Sequence, residues 1–410
     1  MAFIKENADV TPIVDTVFTI VRQAAAAKAK FGEDAVVDAT IGSLYDESGK
    51  LVAMKSVFDN FNNIDNRIKA KYAGAFLGNE TYRKSVADWV IGNSGCTLHS
   101  SVVATPGGTG AVNLTIDLCL SEGQTLVIPN IAWGSYAIMA NNAGINVKRY
   151  EMFDGDAFNM NSFMNVCQTV MNEQKKLVVV INDPCHNPTG YSMRKAEWEK
   201  VIAFVNELSE LGSVVVLNDI AYLDYAYDLN TVRSYMECFN NITDNVLISI
   251  AFSCSKLMTS YGLRCGAAVL LGKDAGSVKI VEGSFEKAAR SLWSNVNNGA
   301  MENFYEVVTN RNAEFMKEKQ EYIDLLRQRS SIIVEEANAC GLPIYPYKEG
   351  FFVTVRCENT LRDKYHDALL NEKIFTVKVN NGIRIAVCSL PIEKCKGLAE
   401  RMNQILEGCK

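Results

Sequence analysis

Short, fully apolar runs alternate with stretches of helical periodicity along the chain from about residue 100 onward. The apolar runs have the length of a single strand and are rich in β-branched residues: "SSVVATP", "TLVIPN", "LVVVIND", "SVVVLND", "NVLISIAF" and "GAAVLLG". Strands that are apolar on both faces are typical of a mostly parallel sheet covered on both sides. The clearest intervening stretch, "MRKAEWEKVIAFVNELSEL", predicts an amphipathic helix. The pattern therefore predicts an α/β fold that binds ligands beyond the carboxyl ends of its strands.

The pattern changes after about residue 298. The stretch from Met301 to Gly341 has helical periodicity throughout, and Gly341 and Pro343 end it. The runs "GFFVTVR", "IFTVKV" and "GIRIAVCSL" then predict short strands, mixed with two helices. We therefore predict a second, smaller α+β domain, with one long helix as its connector.

The composition of this 410-residue chain, 48% hydrophobic and 21% charged, is that of a globular protein long enough for two domains. Its net charge of −6 gives no electrostatic reason to expect nucleic acid or a membrane surface as a partner. The twelve cysteines form no C-x-x-C pair, which predicts reduced thiols and a cytoplasmic location. The three histidines show no metal-ligand spacing, so we expect no metal site.

The first of four polar clusters is "TPGGTGA", which lies between a predicted strand and a predicted helix. Glycines let the backbone approach an anion closely, and a helix N-terminus offers free N–H groups, so a phosphate cradle is one interpretation. A plain tight turn is the other. A dinucleotide site is disfavoured, because the spacing is G-G-x-G and the next strand ends without an acidic residue for a ribose.

The other three clusters also follow predicted strands. "NDPCHNPTG" is either a rigid structural turn or a ligand site that contains Asn187. In "LNDIAY", Asp219 either caps a turn or is a buried carboxylate that needs a charged partner, with Tyr222 three residues later. In "FSCSKLMTSYGLRCG", Lys256 is either a surface lysine or an amine with depressed proton affinity, as Schiff-base chemistry requires. Arg264 follows it by eight positions.

One molecule, pyridoxal phosphate, needs all four clusters together. Its aldehyde needs an amine such as Lys256, and its ring nitrogen needs a carboxylate such as Asp219. Its phenolic oxygen needs hydrogen-bond donors, and its phosphate needs an anion cradle. The donors would be Tyr222 and Asn187, and the cradle would be the glycine turn with Ser253, Ser255 and Arg264.

The sequence resembles the pyridoxal-phosphate aminotransferases of fold type I, most of all the aspartate and aromatic amino-acid subgroup. The resemblance rests on motifs spread along most of the chain: "IGSLYDESGK", "GGTGA", "NIAWGSY", "CHNPTG", "DIAY", "SCSK" with an arginine eight positions on, and "GIRIAV". It implies a phosphate turn at Gly107, Gly108 and Thr109, and Trp133 stacked on the cofactor. It also implies Gly42 over the substrate and Arg384 on the substrate α-carboxylate, which the planar guanidinium can hold by two hydrogen bonds.

The resemblance also implies the architecture and the reaction. The expected fold is a large domain with a mostly parallel seven-stranded sheet between helices, spanning residues 49–315. Residues 1–48 would form an N-terminal arm and part of a small α+β domain, and residues 316–410 would form the rest of that domain. The implied reaction is ping-pong transamination between an L-amino acid and a 2-oxo acid, with Lys256 as general base and then acid.

Two further matches imply a homodimer with shared active sites. Tyr72 resembles a tyrosine that reaches the phosphate in the partner subunit, although its distance to the following glycine is one residue longer. Arg290, in "ARSLWSN", resembles an arginine that pairs in the partner's site with the side-chain carboxylate of aspartate or glutamate. The family's prolines after this "SN" are absent, and "LDY" replaces the usual glycine-aromatic pair after Tyr222.

Two alternatives use the same resemblance. A β-lyase or a decarboxylase would keep all the cofactor residues, because these reactions differ in which substrate bond stands perpendicular to the cofactor ring. A regulator built on an aminotransferase-like domain would need a helix-turn-helix segment and a basic arm, and the sequence contains neither. The matches at Gly42 and Arg290 favour transamination of an acidic amino acid, with aromatic ones as the second choice.

Overall fold

The computed structural model describes residues 3–4, 10–12 and 16–410, and most of this chain lies in regular elements. The helices are α1 (Thr16–Phe31), α2 (Lys55–Asn63), α3 (Asn66–Ala70), α4 (Glu80–Ile91), α5 (Gly107–Cys119), α6 (Ser135–Asn142), α7 (Met160–Gln174), α8 (Lys195–Ser209), α9 (Cys254–Leu257), α10 (Ala275–Leu292), α11 (Asn298–Thr309), α12 (Asn312–Cys340), α13 (Asn359–Asn371), α14 (Ile392–Cys395) and α15 (Leu398–Cys409). The strands are β1 (Val37–Asp38), β2 (His99–Thr105), β3 (Thr125–Pro129), β4 (Asn146–Tyr150), β5 (Phe153–Asp154), β6 (Ala157–Phe158), β7 (Lys176–Asn182), β8 (Ser213–Asp219), β9 (Val246–Ser253), β10 (Gly266–Gly272), β11 (Phe352–Arg356), β12 (Ile374–Phe375), β13 (Val377–Val379) and β14 (Gly382–Ala386).

One large sheet of seven strands organises the fold, in the spatial order β2-β10-β9-β8-β7-β3-β4. In this sheet β10 runs antiparallel to both β2 and β9, and the other neighbouring pairs are parallel. The predicted α/β fold with a mostly parallel seven-stranded sheet is thereby confirmed. Because parallel strands point the same way, the carboxyl ends of β7, β8 and β9 lie side by side at one edge.

Both faces of this sheet are covered, which explains why its strands are apolar without alternation. In β7, Leu177 and Val179 face one core, whereas Val178 and Val180 face the other. Helices α7 and α8 contribute to the first core, and α5, α6 and α10 contribute to the second. The continuous hydrophobic runs therefore follow from burial on two sides.

The seventh strand, β4, was not among the apolar runs from which the sheet was predicted. Its sequence, "NVKRY", is mostly polar, and only its last residue is buried. This strand pairs with β3 at the end of the sheet. An edge strand has one side in water and tolerates polar side chains, so hydrophobicity alone does not reveal it.

The prediction of one long helix from Met301 to Gly341 was wrong, because the chain breaks it into α11 and α12. The break falls in the sequence "TNRN", where asparagine side chains compete with the backbone for hydrogen bonds. Asn310 donates through its side chain to Glu306 at 2.7 Å, and Asn312 donates to the carbonyl of Val308 at 3.0 Å. The predicted end at Gly341 is confirmed, since this residue has a φ of +80° and caps α12.

The C-terminal elements form the predicted smaller α+β unit. Strands β11, β14 and β13 make a three-stranded antiparallel sheet, and β1 pairs with β12 in parallel. The run "IFTVKV", predicted as one strand, therefore contributes β12 and β13 to two different sheets. The domain boundaries at residues 48 and 315 stay a prediction, and the second one falls inside the first turn of α12.

Several sequence expectations concern what the chain lacks or leaves unpaired. The twelve cysteines are all free thiols in the structure. Within residues 3–4, 10–12 and 16–410, no cluster of three or more His, Cys, Asp or Glu side chains is arranged to hold a metal ion. In the same part of the chain, every helix is too short or too polar to cross a membrane.

One charged side chain, Lys319 of α12, lies entirely inside the core. Its ammonium donates to the carbonyl of Leu257 at 3.1 Å and lies 3.7 Å from the centre of the Tyr225 ring. Burial is the main cause that lowers the pKa of Lys319 from 10.5 to about 7, and the nearby Asp224 carboxylate opposes the shift. The unfolded chain binds this proton more tightly than the folded chain. The buried lysine therefore lowers the free energy of unfolding by its full amount below pH 7, and this loss of stability disappears as the pH rises from 7 to 10.5.

We expect the substitution Lys319→Met to flatten the pH dependence of the free energy of unfolding. Between pH 7 and 10, the free energy of unfolding should rise more steeply for the wild type than for the variant. The difference between the two slopes should be up to about 1.4 kcal/mol per pH unit. Urea unfolding of the holoprotein at a series of pH values measures this difference. Lys317→Met, at an exposed position of the same helix, is the control that should keep the wild-type slope. Parallel curves for wild type and Lys319→Met would contradict the assignment.

Candidate active site

A cavity of about 500 Å³ lies at the edge of the large sheet where β7, β8 and β9 end. The loop that contains Gly42, the start of α5 and the strand β14 close its other sides. Twelve of the fifteen site residues predicted from the sequence line it: Gly42, Gly108, Thr109, Trp133, Asn187, Asp219, Tyr222, Ser253, Ser255, Lys256, Arg264 and Arg384. Residues that are far apart in the sequence, from Gly42 to Arg384, therefore line one cavity.

Lys256 is held by a short helix, α9, that directly follows β9. The hydroxyl of Ser253 accepts a hydrogen bond from the backbone N–H of Ser255 at 3.2 Å and caps this helix. The amine of Lys256 donates to the carbonyl of Gly42 and lies 4.8 Å from the centre of the Tyr261 ring. The short helix and these contacts thus place the amine of Lys256 in the cavity.

The electrostatic surroundings of Lys256 make its amine easy to deprotonate. Burial is the main cause that lowers its pKa from 10.5 to about 8, and Arg384 and Arg264 lower it further by repulsion. A neutral amine is the nucleophilic form, and it is also the form that accepts a proton. A substantial share of the Lys256 side chains is therefore reactive near neutral pH.

An anion cradle lies beside this lysine, at the N-terminus of α5. Gly107 has a φ of +76°, and a Cβ built there would lie 2.5 Å from Nη2 of Arg264, so only glycine fits. Arg264 donates to the hydroxyl of Ser255 at 3.1 Å and to the carbonyl of Pro106 at 3.3 Å. Free N–H groups of a helix start, hydroxyls and a guanidinium together suit a phosphate group. Gly107 itself is not among the residues that line the cavity, but it lies against Arg264, which lines it.

Asp219 is the last residue of β8 and lines the same cavity. Its Oδ2 accepts a hydrogen bond from the hydroxyl of Tyr136 at 2.6 Å, and its Oδ1 accepts one from the backbone N–H of Ala221 at 3.1 Å. Burial is the main cause that raises the pKa of Asp219, and these two hydrogen bonds oppose the rise. The result is a buried carboxylate that faces a cavity, where a cationic ligand atom would stabilise it.

Arg384, on β14, is a buried cation whose charge is not paired with a carboxylate among the described residues. Its Nη2 donates to the carbonyl of Thr40 at 2.8 Å and its Nη1 to the side-chain oxygen of Asn187 at 3.3 Å, while its Nε has no partner. Among the residues that the structure describes, no carboxylate pairs with it. The ring of Phe352 lies 4.4 Å from its guanidinium carbon. A buried charge without a partner is costly, so this position favours an anionic ligand.

Tyr222 and Asn187 line the same cavity as these charged groups. The phenol of Tyr222 is buried, and burial is the main cause that raises its pKa, so it keeps its proton and can donate it in a hydrogen bond. The backbone N–H of Asn187 donates to the side chain of Asn182 at 2.7 Å, which fixes the turn after β7. Both residues line the cavity.

Besides Gly107, two predicted site residues do not line the cavity of their own chain. Tyr72 is 81% exposed. Arg290, near the end of α10, is also exposed; its guanidinium carbon lies 4.7 Å from the centre of the Phe76 ring, and it donates to Ser294. Their predicted role in a partner subunit stays a prediction.

Sequence reasoning missed several residues that line the cavity: Tyr136, Tyr261, Phe352, and Val17 and Phe18 of α1. Tyr261 accepts a hydrogen bond from the backbone N–H of Leu44 at 2.9 Å and so holds the loop beside Gly42. Tyr136 carried a signal, because it lies in "WGSY", three residues after Trp133 and at the start of a helix. Tyr261 also carried a signal, because it lies between Lys256 and Arg264 in the fourth polar cluster. Phe352, Val17 and Phe18 lie in ordinary apolar patterns, which do not distinguish a cavity wall from a core.

The sequence matches the model of the family described as aminotransferase class I and II over residues 35–402. The mitochondrial aspartate aminotransferase of Dictyostelium discoideum is 25% identical over 266 residues, which are 62% of this chain and 60% of that protein. The aromatic-amino-acid aminotransferase of Escherichia coli strain K12 is 25% identical over 268 residues, which are 63% of this chain and 65% of that protein. The matched part therefore spans less than two thirds of these curated relatives.

Solved structures extend the likeness over nearly the whole chain. An aminotransferase from Anaerococcus prevotii is 33% identical, has a TM-score of 0.95 and covers 98% of each chain. An aromatic-amino-acid aminotransferase from Burkholderia pseudomallei, described as covalently bound to pyridoxal phosphate, is 20% identical with a TM-score of 0.78. It covers 98% of this chain and all of that one, and this second likeness shows the fold alone.

We expect the Lys256 amine in the cofactor-free protein to become reactive with a midpoint near pH 8. At pH 7 about one Lys256 in ten would then be neutral, against fewer than about one in a thousand for an ordinary lysine. Competitive labelling with acetic anhydride from pH 6 to 11, followed by peptide mass spectrometry, measures the midpoint. Lys195, whose pKa is raised by its hydrogen bond to Glu237, is the internal control. A midpoint for Lys256 at or above 10.5 would contradict the depressed pKa.

Proposed function

Because this chain belongs to the class I and II aminotransferase family, we propose that it moves an amino group between an L-amino acid and a 2-oxo acid, with pyridoxal 5'-phosphate as cofactor. One observation carries the proposal above the others. A lysine with a pKa of about 8 lies in a cavity that presents an anion cradle, a buried carboxylate and a buried guanidinium. These four groups are the ones that the cofactor and an amino-acid substrate need.

The side chains fit the cofactor group by group. The phosphate would lie at the start of α5, because Gly107 and Gly108 leave space where a Cβ would collide with Arg264 and crowd Ser253. Asp219 would face the ring nitrogen, and Trp133 would stack on the ring. The remaining cofactor contacts would come from Thr109, Asn187, Tyr222 and Ser255.

Pyridoxal phosphate, when bound, supplies an aldehyde that condenses with amines and a ring that withdraws electrons from the substrate α-carbon. Lys256 would supply the proton transfer. Its amine takes the proton from the α-carbon as a base, because a substantial fraction of it is neutral near pH 8. As the conjugate acid, the same nitrogen would then give that proton to a different atom, the carbon that carried the cofactor's aldehyde oxygen.

Arg384 would bind the α-carboxylate of the substrate. Its Nε has no partner, and its guanidinium is buried without a carboxylate among the described residues, so a substrate carboxylate supplies the missing negative charge. The carbonyl of Thr40 and the ring of Phe352 hold the guanidinium in place. This contact fixes the α-carbon relative to Lys256, which also lines the cavity.

In this proposal, recognition of the substrate side chain depends on a second copy of the chain. We propose aspartate and glutamate, or aromatic amino acids, as substrates, since the relatives with 25% identity are named for these groups. The acidic side chain would pair with Arg290 of a second copy, and Tyr72 of that copy would reach the phosphate. The exposure of both side chains on a single chain supports such a homodimer. A β-lyase or decarboxylase would use the same cofactor contacts, and no observed contact favours either.

A cytoplasmic location completes the proposal. All twelve cysteines are free thiols, and nine of them are buried. Thiols stay reduced in the cytoplasm, whereas oxidising compartments favour disulfides.

The substitution Lys256→Ala should abolish amino-group transfer, because no other amine lines the cavity among the residues that the structure describes. We expect turnover of aspartate, glutamate, tyrosine and phenylalanine with 2-oxoglutarate to fall by at least about a thousandfold. Lys200→Ala, at an exposed lysine of α8, is the control and should leave turnover unchanged. Transamination that persists in Lys256→Ala would refute the proposed function.

The substitution Arg290→Ala should selectively reduce activity with acidic substrates. We expect kcat/KM for aspartate and glutamate to fall by about a hundredfold, because one hydrogen-bonded charge pair is lost, while aromatic substrates lose little. Mixing Arg290→Ala with Lys256→Ala subunits tests whether the arginine acts across subunits. Random pairing makes about half of the dimers mixed, each with one intact site, so about a quarter of wild-type activity should return. Failure to recover activity in proven mixed dimers would place Arg290 outside the partner's site.

A further inference from the structure

A tyrosine that the sequence did not assign contacts the buried carboxylate of the site. Tyr136 lies in the first turn of α6, and its side chain is almost completely buried. Its hydroxyl donates to Oδ2 of Asp219 at 2.6 Å, a short distance for such a bond. Both residues line the cavity, so this hydrogen bond lies at the wall that a ligand would touch.

The two oxygens of Asp219 have different protein partners. Oδ2 accepts from Tyr136, and Oδ1 accepts from the backbone N–H of Ala221 at 3.1 Å. Within residues 16–410, no lysine, arginine or histidine pairs with this carboxylate. Two neutral donors therefore support its charge, and Tyr136 is the one that a substitution can remove.

The hydrogen bond opposes the effect of burial on Asp219. Burial is the main cause that raises the pKa of the carboxyl group, and the Tyr136 hydroxyl is the first of the two groups that lower it. Burial and the negative charge of Asp219 raise the pKa of Tyr136 well above its ordinary value, so the phenol keeps the proton that it donates. The pair therefore has one arrangement, a phenol that donates to a carboxylate.

Tyr136 also touches the aromatic wall of the cavity. Its ring meets that of Trp133 edge to face, with centroids 5.3 Å apart and an angle of 86° between the planes. Edge-to-face packing is a favourable geometry for two aromatic rings, and it restricts the orientation of both side chains. The same side chain thus contacts the carboxylate and the ring that would stack on the cofactor.

We propose that Tyr136 is a positioning residue that keeps Asp219 ionised and aimed at the ring nitrogen of the bound cofactor. This inference rests on the proposed function, since it needs a ligand with a basic ring nitrogen. Among the described residues, the hydroxyl of Tyr136 donates to Asp219 and makes no hydrogen bond to Lys256 or Arg384. Its effect passes through the charge of Asp219, which holds a proton on the ring nitrogen.

The test compares two ligands on two proteins. The ligands are pyridoxal phosphate and its analogue in which carbon replaces the ring nitrogen; the proteins are wild type and Tyr136→Phe. Removal of the phenol should weaken the affinity for pyridoxal phosphate by about ten- to hundredfold, as for a hydrogen bond to a charged group. The affinity for the analogue should not change, because it has no ring nitrogen for Asp219 to hold. Equilibrium binding to the cofactor-free protein, followed by quenching of tryptophan fluorescence, measures both.

A double substitution supplies a second measurement that does not depend on the analogue. In the Asp219→Asn background, Tyr136→Phe should no longer weaken cofactor binding, because the charge that the phenol supports is gone. Tyr150→Phe is the matched control, since it removes another buried phenol, one whose hydroxyl faces the carbonyl of Val180 at 3.5 Å. It should leave the affinity for both ligands unchanged.

Three outcomes would overturn the inference. Equal losses for pyridoxal phosphate and its analogue would mean that Tyr136 acts only by packing. The same loss in the Asp219→Asn background would show that its effect does not pass through this carboxylate. Unchanged affinity for both ligands would remove the role altogether. A wild-type protein that binds neither ligand would refute the proposed function itself, which is a different result from any of these.

Discussion

The parallel pairing of β7, β8 and β9 is the constraint on which the site depends. In this register Asn182 lies directly opposite Asp219, and both strands end at this level. Asp219 in turn lies opposite Ala251, two residues before Ser253 ends β9. A slip of one residue would turn each of these side chains to the other face of its strand. The two buried cores oppose such a slip, because they require the apolar residues of both faces to stay where they are.

The cavity that this edge creates has an excess of positive charge. Lys256, Arg264 and Arg384 line it, and Asp219 is the carboxylate that lines it with them. Buried cations repel each other, and a nearby anion reduces that repulsion. A phosphate and a carboxylate are therefore the ligands that this cavity favours. The two arginines also lower the pKa of the lysine after burial has done so. The same charges thus attract the ligands and activate the amine.

Helices outside the sheet edge hold these groups in place. Lys319 of α12 donates to the carbonyl of Leu257, at the end of the short helix that carries Lys256. Tyr136 of α6 donates to Asp219. In the proposed reaction the site holds a proton on one atom and removes a proton from another. Such a site needs these supports, because small displacements change both the distances and the charges.

The sequence by itself determined the layered α/β fold and the polar clusters at the strand ends, and it predicted the cofactor that these clusters would bind. Apolar runs without alternation indicate strands that are buried on two sides, and the clusters at their ends are local in sequence, so both can be recognised without coordinates. Tertiary structure alone decided three other features. It showed that no carboxylate among the described residues pairs with Arg384, that Tyr136 donates to Asp219, and that Lys319 is buried. All three features depend on contacts between segments that are far apart in the sequence. The hydrophobic pattern of one segment does not show which other segments it will contact.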